Sequence, residues 1–175
     1  MIGKTLALRK ATNLGENMKR SLIVITLISL VALVIGCAKN ATVKVRPELE
    51  ENRIKEVLSN SVSSLAKKDV LNWARNYVQD DSFTIINFGQ QMQGFAMYKD
   101  SITKFLETAS VQRQTHYNTK VYVAGDVAWA TYREDWTAKY TDGRPDFVMK
   151  GLVTVGFVKR DRQWLIQHHH ETMIQ

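Results

Sequence analysis

Between Glu48 and Lys67, Ile54, Val57, Leu58, Ser61, Val62 and Leu65 recur three and four apart, with charged and polar residues between them. That spacing predicts one long amphipathic helix whose apolar stripe needs a sheet to cover. Asp69 stands where an N-cap belongs and predicts a second, short helix that carries Trp73 and Tyr77 one turn apart and ends at Asp80-Asp81. Ser82 to Phe88 is short and rich in β-formers. A third helix is expected from about Tyr98 or Asp100, burying Ile102, Phe105, Leu106 and Ala109.

From Thr115 onward the period shortens to that of strands, broken by the turn signals Ala124-Gly125-Asp126, Thr141 to Pro145 and Lys159 to Gln163. The pattern predicts a four-strand antiparallel meander over Thr115–Val123, Val127–Tyr140, Phe147–Lys159 and Trp164–Glu171. Strands of about 13 residues exceed the usual five or six. Gly151 and Gly156 lie inside one of them, where glycine marks a bulge or bend. A strongly curved antiparallel sheet wrapped around the first helix accounts for both features. The expected fold class is α+β, with three N-terminal helices packed on that sheet.

The segment ahead of this domain follows another rule. Leu22–Ile35 is an apolar run of 14 residues, introduced by Lys19 and Arg20 and closed by Gly36-Cys37. A spanning helix needs about 20 apolar residues, so the run reads as the core of an export signal rather than a permanent membrane segment. Val34-Ile35-Gly36-Cys37 resembles a bacterial lipobox, and Cys37 is the only cysteine of the chain, without an intramolecular disulfide partner. Residues 1–36 are therefore expected to be a signal peptide, with Met18 as the economical start site. Cys37 is expected to be the lipidation site, carrying acyl chains such as palmitate, residues 37–47 a polar spacer, and residues 48–175 the folded domain. Ala38 after the cysteine resembles the sorting signal of cargo sent to the outer membrane. The expected location is the cell envelope, facing the periplasm if the host has two membranes.

Charge adds little beyond this. The 175 residues carry a net +7, but cleavage before Cys37 would leave 19 basic against 16 acidic residues, a net +3. There is no basic stripe interleaved with aromatics, so nucleic acid is not an expected partner. No phosphate loop, nucleophile elbow or cysteine-rich metal spacing occurs, and no cofactor or metal is expected.

The candidate chemistry is aromatic and imidazole. His168-His169-His170 is the most conspicuous polar cluster. Residues two apart on a strand share a face, so His168 and His170 are expected to point together with Ile166, and His169 away. Such a pair serves as pocket wall, as a polar ligand contact, as a general base near neutral pH or as a metal ligand. Asp135 or Glu171 would be the acidic orienter. Trp73 and Tyr77 are candidate ligand contacts, and Arg133-Glu134-Asp135 reads mainly as solvated strand charge.

The order of these features is similar to that of the NTF2-like superfamily, and nearest to its SnoaL-like or DUF4440-type branch. Asp69, Trp73, Tyr77, Asp80 and Asp81 carry the resemblance in the first half, with Gly125-Asp126-Val127-Ala128, Trp164, Ile166 and His170 in the second. It implies a cone-shaped fold with an apolar pocket at its open mouth, and homodimerisation through the outer sheet face. Ile86, Phe88 and Phe105 then join Trp73, Tyr77, His168 and His170 as expected ligand-binding residues. The superfamily holds isomerases, dehydratases, epoxide hydrolases and many non-catalytic members, and a fold does not fix a function. The carboxylates and tyrosine of its ketosteroid isomerases would fall at Ile86, Gly151 and Ser61, so that mechanism is not expected here. The expected function is non-catalytic binding of a small amphipathic molecule or a protein partner by a lipid-anchored domain. The alternative is a hydrolase or isomerase with His170 or His168 as general base.

Overall fold

The computed structural model describes residues 47–174. The leader, Cys37 and the spacer before Pro47 lie outside the described residues. Helix α1 (Pro47–Ala66) begins on a proline, which has no N–H to leave unsatisfied in a first turn. Glu48 and Glu50 occupy that turn, where the helix dipole favours negative charge. The expected stripe is buried at Ile54, Leu58, Ser61 and Leu65.

Helix α2 (Val70–Ala74) is capped by Asp69, whose side chain accepts from the Asn72 N–H at 3.0 Å. It ends well before the expected Asp80-Asp81. Past Ala74 the chain pairs with a later strand: the Val78 N–H donates to the Ile166 carbonyl at 2.9 Å, and the Ile166 N–H to the Asn76 carbonyl at 2.8 Å. Backbone groups committed to a strand partner cannot continue a helix, so Tyr77 sits on a β-bridge instead of a helix face.

Strands β1 (Thr84–Asn87) and β2 (Gln90–Gln93) form a hairpin. Both turn residues, Phe88 and Gly89, have positive φ, 51° and 77°, as a two-residue hairpin turn matching the strand twist demands. The sequence gives no sign of β2, because Gln90-Gln91-Met92-Gln93 lacks apolar alternation and forms the edge of the sheet. Helix α3 (Phe95–Thr108) begins ahead of the expected Tyr98 and buries Phe95, Tyr98, Ile102 and Leu106. Ala109 is not its last buried residue but opens the next strand in extended conformation.

That strand, β3 (Ala109–Ala124), starts six residues ahead of Thr115, with register shifts at Val111/Arg113 and Tyr117/Lys120. It continues into β4 (Val127–Tyr140), β5 (Phe147–Arg160) and β6 (Gln163–Met173), the expected antiparallel meander. The curved six-strand sheet has the order β2-β1-β6-β5-β4-β3, and β1 runs parallel to β6. Of the two glycines expected to mark bends, only Gly156 lies at a register shift, opposite the extra residue Gln167 of β6. Gly151 sits in regular register on both sides.

The core lies between α1, α3 and one face of the sheet. At one end five aromatic rings, Trp73, Tyr77, Phe83, Phe95 and Tyr98, pack with centroids 4.7 to 5.9 Å apart. Elsewhere Glu50 ties the first turn of α1 to the sheet: it accepts from Lys159 Nζ at 2.7 Å, from Trp164 Nε1 and from Arg53 at 2.8 Å. Among the described residues, no helix is long and apolar enough to cross a membrane.

Candidate functional site

Along β4 the residues facing the core are Ala128, Ala130, Tyr132, Glu134, Trp136 and Ala138. Strand alternation therefore drives one carboxylate, Glu134, into an otherwise apolar row. Its side chain is 2% exposed. A buried carboxylate needs partners, and β3 supplies two: Gln114 Nε2 donates to Glu134 Oε1, and His116 Nε2 lies 3.1 Å from the same oxygen. The His116 ring is held by stacking on Tyr132, centroid to centroid 4.1 Å.

The same face of β6 contributes His169 and Glu171, and this reverses the expected arrangement of the histidine run. Trp164 and Ile166 point inward as expected, but the extra Gln167 shifts the alternation by one residue, so that His169 and Glu171 follow them. His168 and His170 turn to the opposite face. There His168 Nδ1 lies 2.7 Å from Thr84 Oγ1, and the two rings are 6.5 Å apart. A bulge that inserts one residue exchanges the faces of everything after it.

Glu171 and Glu134 approach across β5 because Gly151 lies between them. A Cβ on Gly151 would sit 3.2 Å from Glu171 Oε1, so the glycine serves close approach of side chains rather than a bend. The two carboxyls are pulled apart in acidity. Burial works against the Glu134 charge, but the hydrogen bonds from His116 and Gln114 outweigh it and hold its pKa below the usual carboxylate value. Burial first, and then the neighbouring Glu134 charge, push Glu171 up to about 8. Burial lowers His169 to about 4, so its imidazole is neutral at pH 7. His169 Nε2 is 4.0 Å from Glu171 Oε2. The floor thus holds an ionised carboxylate beside a protonated carboxyl and a neutral imidazole.

These groups line a cavity of about 50 Å³, together with Ser61, Tyr77 and Asn87. The Tyr77 hydroxyl is 2.9 Å from Ser61 Oγ. A second hollow of about 250 Å³ adjoins it, sharing Asn87, Tyr98, Ile102 and Trp136 as common walls. Phe88, Phe105, Tyr140 and Phe147 line this outer chamber together with Gln90, Met92 and Ser101, and Phe88 meets Phe147 across it at 6.1 Å. An aromatic mouth thus leads to a polar floor. A larger hollow, about 450 Å³, lies elsewhere, between α1, α2 and the β5–β6 turn. It is open and hydrophilic, and no buried titratable group converges on it, in contrast to the smaller chambers. Among the described residues, no three or more His, Cys, Asp or Glu side chains are grouped to hold a metal ion.

The remaining expected site residues are distributed unevenly. Phe88 and Phe105 line the mouth and Tyr77 the floor. Trp73 is fully buried in the aromatic cluster and borders neither chamber, while Ile86 pairs with His170 on the outer side of the sheet. Asp135 points away from Glu134 and lies 3.9 Å from Arg113. The sequence reading undervalues Glu134 and omits His116 and Gln114. Reading β4 at period two from Ala128 to Ala138 singles out Glu134 as the one acid on an apolar face. The register shifts in β3 hide the other two.

The sequence profile of the SnoaL-like domain matches residues 54–174. The chain belongs to the SnoaL-like family. A comparison with curated proteins finds no match. Among solved structures, the SnoaL-like domain is similar to a protein from Novosphingobium aromaticivorans provisionally named a scytalone dehydratase. The TM-score is 0.63 at 19% identity, covering 73% of this chain and 85% of the other. It is also similar to a protein from Exiguobacterium sibiricum provisionally named a calcium/calmodulin-dependent kinase II association domain, with TM-score 0.63, 16% identity and coverage of 75% and 98%. An NTF2-like protein of unknown function from Shewanella oneidensis gives TM-score 0.57, 18% identity and coverage of 70% and 98%. At these identities the likeness establishes a shared fold, and the chemistry rests on the residues of the SnoaL-like domain itself.

Proposed function

We propose that this SnoaL-like domain binds a small amphipathic molecule, its apolar body in the aromatic mouth and its polar head on the Glu134, His116, His169 and Glu171 floor. The observation that carries this reading is the floor itself. Burying two carboxyls and two imidazoles under an apolar chamber costs stability, and pockets that combine apolar walls with a few convergent polar groups are those that take small ligands. Titration of the protein with ring-bearing amphiphiles, followed by thermal shift and tryptophan fluorescence, tests it. Ligands should quench Trp136 and raise the melting temperature, and Ile102→Phe, which narrows the waist, should abolish both effects. Binding that survives Ile102→Phe unchanged refutes the location.

A second reading is favoured by one observation, the divergent acidities of Glu134 and Glu171. Carboxyls held in opposite protonation states are the usual arrangement of an acid and a base serving one substrate. In this reading the domain catalyses a proton transfer, as in dehydration or isomerisation, with Glu171 as acid and the His116–Glu134 pair as base. It replaces His168 and His170 in that role with groups that reach the pocket. Loss of turnover with retained binding in Glu171→Gln would support it.

The envelope location belongs to the same proposal. Cys37 after its apolar run supports lipid attachment, with more than the two anchoring signals that stable membrane attachment requires. Mass spectrometry of the protein from membranes should find acyl chains on Cys37, and an unmodified thiol there would remove the anchor. Pairing with a second copy is supported by the outer sheet face. There Tyr122 and Trp129 stack at 5.2 Å and are each about 45% exposed, with Val127, Val148 and Leu152 also exposed. Exposed apolar clusters of this kind mark association surfaces.

A further inference from the structure

The kind of head group the floor accepts can be read from the hydrogen bonds it lacks. Five buried polar atoms around the two chambers have no partner among the described residues: Asn87 Oδ1, Gln114 Oε1, Glu171 Oε1, His169 Nε2 and Trp136 Nε1. The orientation of the Gln114 amide is fixed, because its nitrogen donates to the Glu134 carboxylate. The Gln114 and Asn87 oxygens accept and the Trp136 indole donates, while the Glu171 carboxyl donates as long as it keeps its proton and accepts once it is ionised. His169 Nε2 accepts or donates according to its tautomer.

Each of these oxygens is a cost that a bound donor removes. A carboxylate or phosphate head offers only acceptors and would lie beside the ionised Glu134. No lysine or arginine lines either chamber to receive it. A hydroxyl offers one donor for the Gln114 and Asn87 oxygens and gives Glu171 no reason to ionise. An ammonium group offers three donors and no acceptor, and it carries the charge that Glu134 and Glu171 together lack. The rings of Trp136, Tyr98 and Tyr132 around the waist and floor add faces that attract a cation.

Building on the binding site proposed above, we propose that its floor selects the protonated amine of a small ring-bearing molecule, held between Glu171, Gln114 and Asn87 with its ring in the aromatic mouth. The groups facing Glu171 are Glu134 and Tyr132 from β4, Gln114 and His116 from β3, His169 from β6, Asn87 from β1 and Tyr98 from α3. None carries a fixed positive charge, so the ligand supplies it. Glu171 holds a proton when the pocket is empty. The entering ammonium turns it into a carboxylate, and the displaced proton leaves to the buffer.

The test compares three probes of one shape, 2-phenylethylamine, 2-phenylethanol and 3-phenylpropionate, by isothermal titration calorimetry of the full chain at pH 7. Two buffers of different ionisation enthalpy count the protons exchanged. The amine should bind at least about tenfold more tightly than the alcohol, the difference expected of charge-assisted over neutral hydrogen bonds. The acid should not bind, and amine binding should release about one proton. Glu171→Gln should abolish the proton release and weaken the amine about tenfold more than it weakens the alcohol. Should that variant fail to fold, the proton count on the wild-type protein decides. Alcohol or acid binding as tightly as the amine, or amine binding without proton release, overturns the head-group assignment and leaves the small-molecule site standing. Failure of all three probes counts against both.

Discussion

Replacing Glu171 by glutamine should change how the stability of the fold depends on pH, in a way that the two buried titrating groups of the floor dictate. Glu171 is raised from 4.5 to about 8 in the folded protein. Between those values the unfolded chain has lost a proton that the folded chain keeps, so stability falls as pH rises, by about 1.4 kcal/mol per pH unit. His169 is lowered from 6.5 to about 4. Below 6.5 the unfolded chain gains a proton that the folded chain refuses, so stability falls as pH drops, with the same slope and opposite sign. His168, lowered by burial and by His170, acts in the same direction as His169. From pH 4.5 to 6.5 the Glu171 and His169 effects nearly cancel. From 6.5 to 8 only Glu171 acts, and the wild-type protein should lose about 2 kcal/mol. Glu171→Gln keeps the shape and the donor but removes the titration. Its stability should instead climb by about 3 kcal/mol from pH 4.5 to 6.5 and then level off. Urea denaturation at half-unit pH steps, followed by tryptophan fluorescence, measures both curves. Wild-type stability that stays flat from 6.5 to 8, or a variant curve parallel to the wild type, would refute the assignment of a neutral Glu171 on the floor.

Three further outcomes follow from the geometry. Glu50→Ala should cost about 3 to 5 kcal/mol, because it strands Lys159 and the Trp164 indole at a buried site; a loss under 1 kcal/mol in urea denaturation would mean that the tie is solvated. Gly151→Ala should destabilise by about 1 to 3 kcal/mol as its methyl group crowds the Glu171 carboxyl, and it should weaken amine probes more than Ile86→Ala, which changes only the outer side of the sheet. Trp129→Glu should convert a dimer to a monomer in light scattering without lowering the affinity for pocket ligands, and a monomeric wild-type protein would refute the proposed pairing.

Much of the scaffold is legible in the sequence because it rests on long periodic runs. The stripe of α1 follows from apolar residues repeating over several turns, and the bounds of β4 from the turn signals on either side of a long β-prone run. The N-cap at Asp69 is equally legible, since one side chain closes one bond. The errors arise where backbone pairing overrides local preference. Residues 76–78 have a helical pattern, yet β6 claims their backbone, and Ala109 has high helix propensity but is drawn into extended pairing with Tyr140. β2 was invisible because an edge strand of glutamines has no pattern to read. The candidate site was legible by residue type but not by orientation. One residue of the histidine run, His169, borders the inner chamber, but which imidazole enters depends on a bulge whose only local trace is Gly156 on the neighbouring strand. Glu134 was hidden differently, by charged neighbours that make a buried acid look like one of a solvated triplet.

The single extra residue in β6 also bears on how such a pocket evolves. Loss of the codon for Gln167 would remove only the bulge: Ile166 and His168 would follow each other in regular alternation, and His169 and Glu171 would keep their places in the interior. Drawn instead into regular pairing with nothing lost, Gln167 would turn His168 and His170 inward, so the register of this one residue decides which titrating groups enter. Kin of this domain with the same residues here but an unbulged strand would house a different set of titrating groups beneath the same aromatic vestibule.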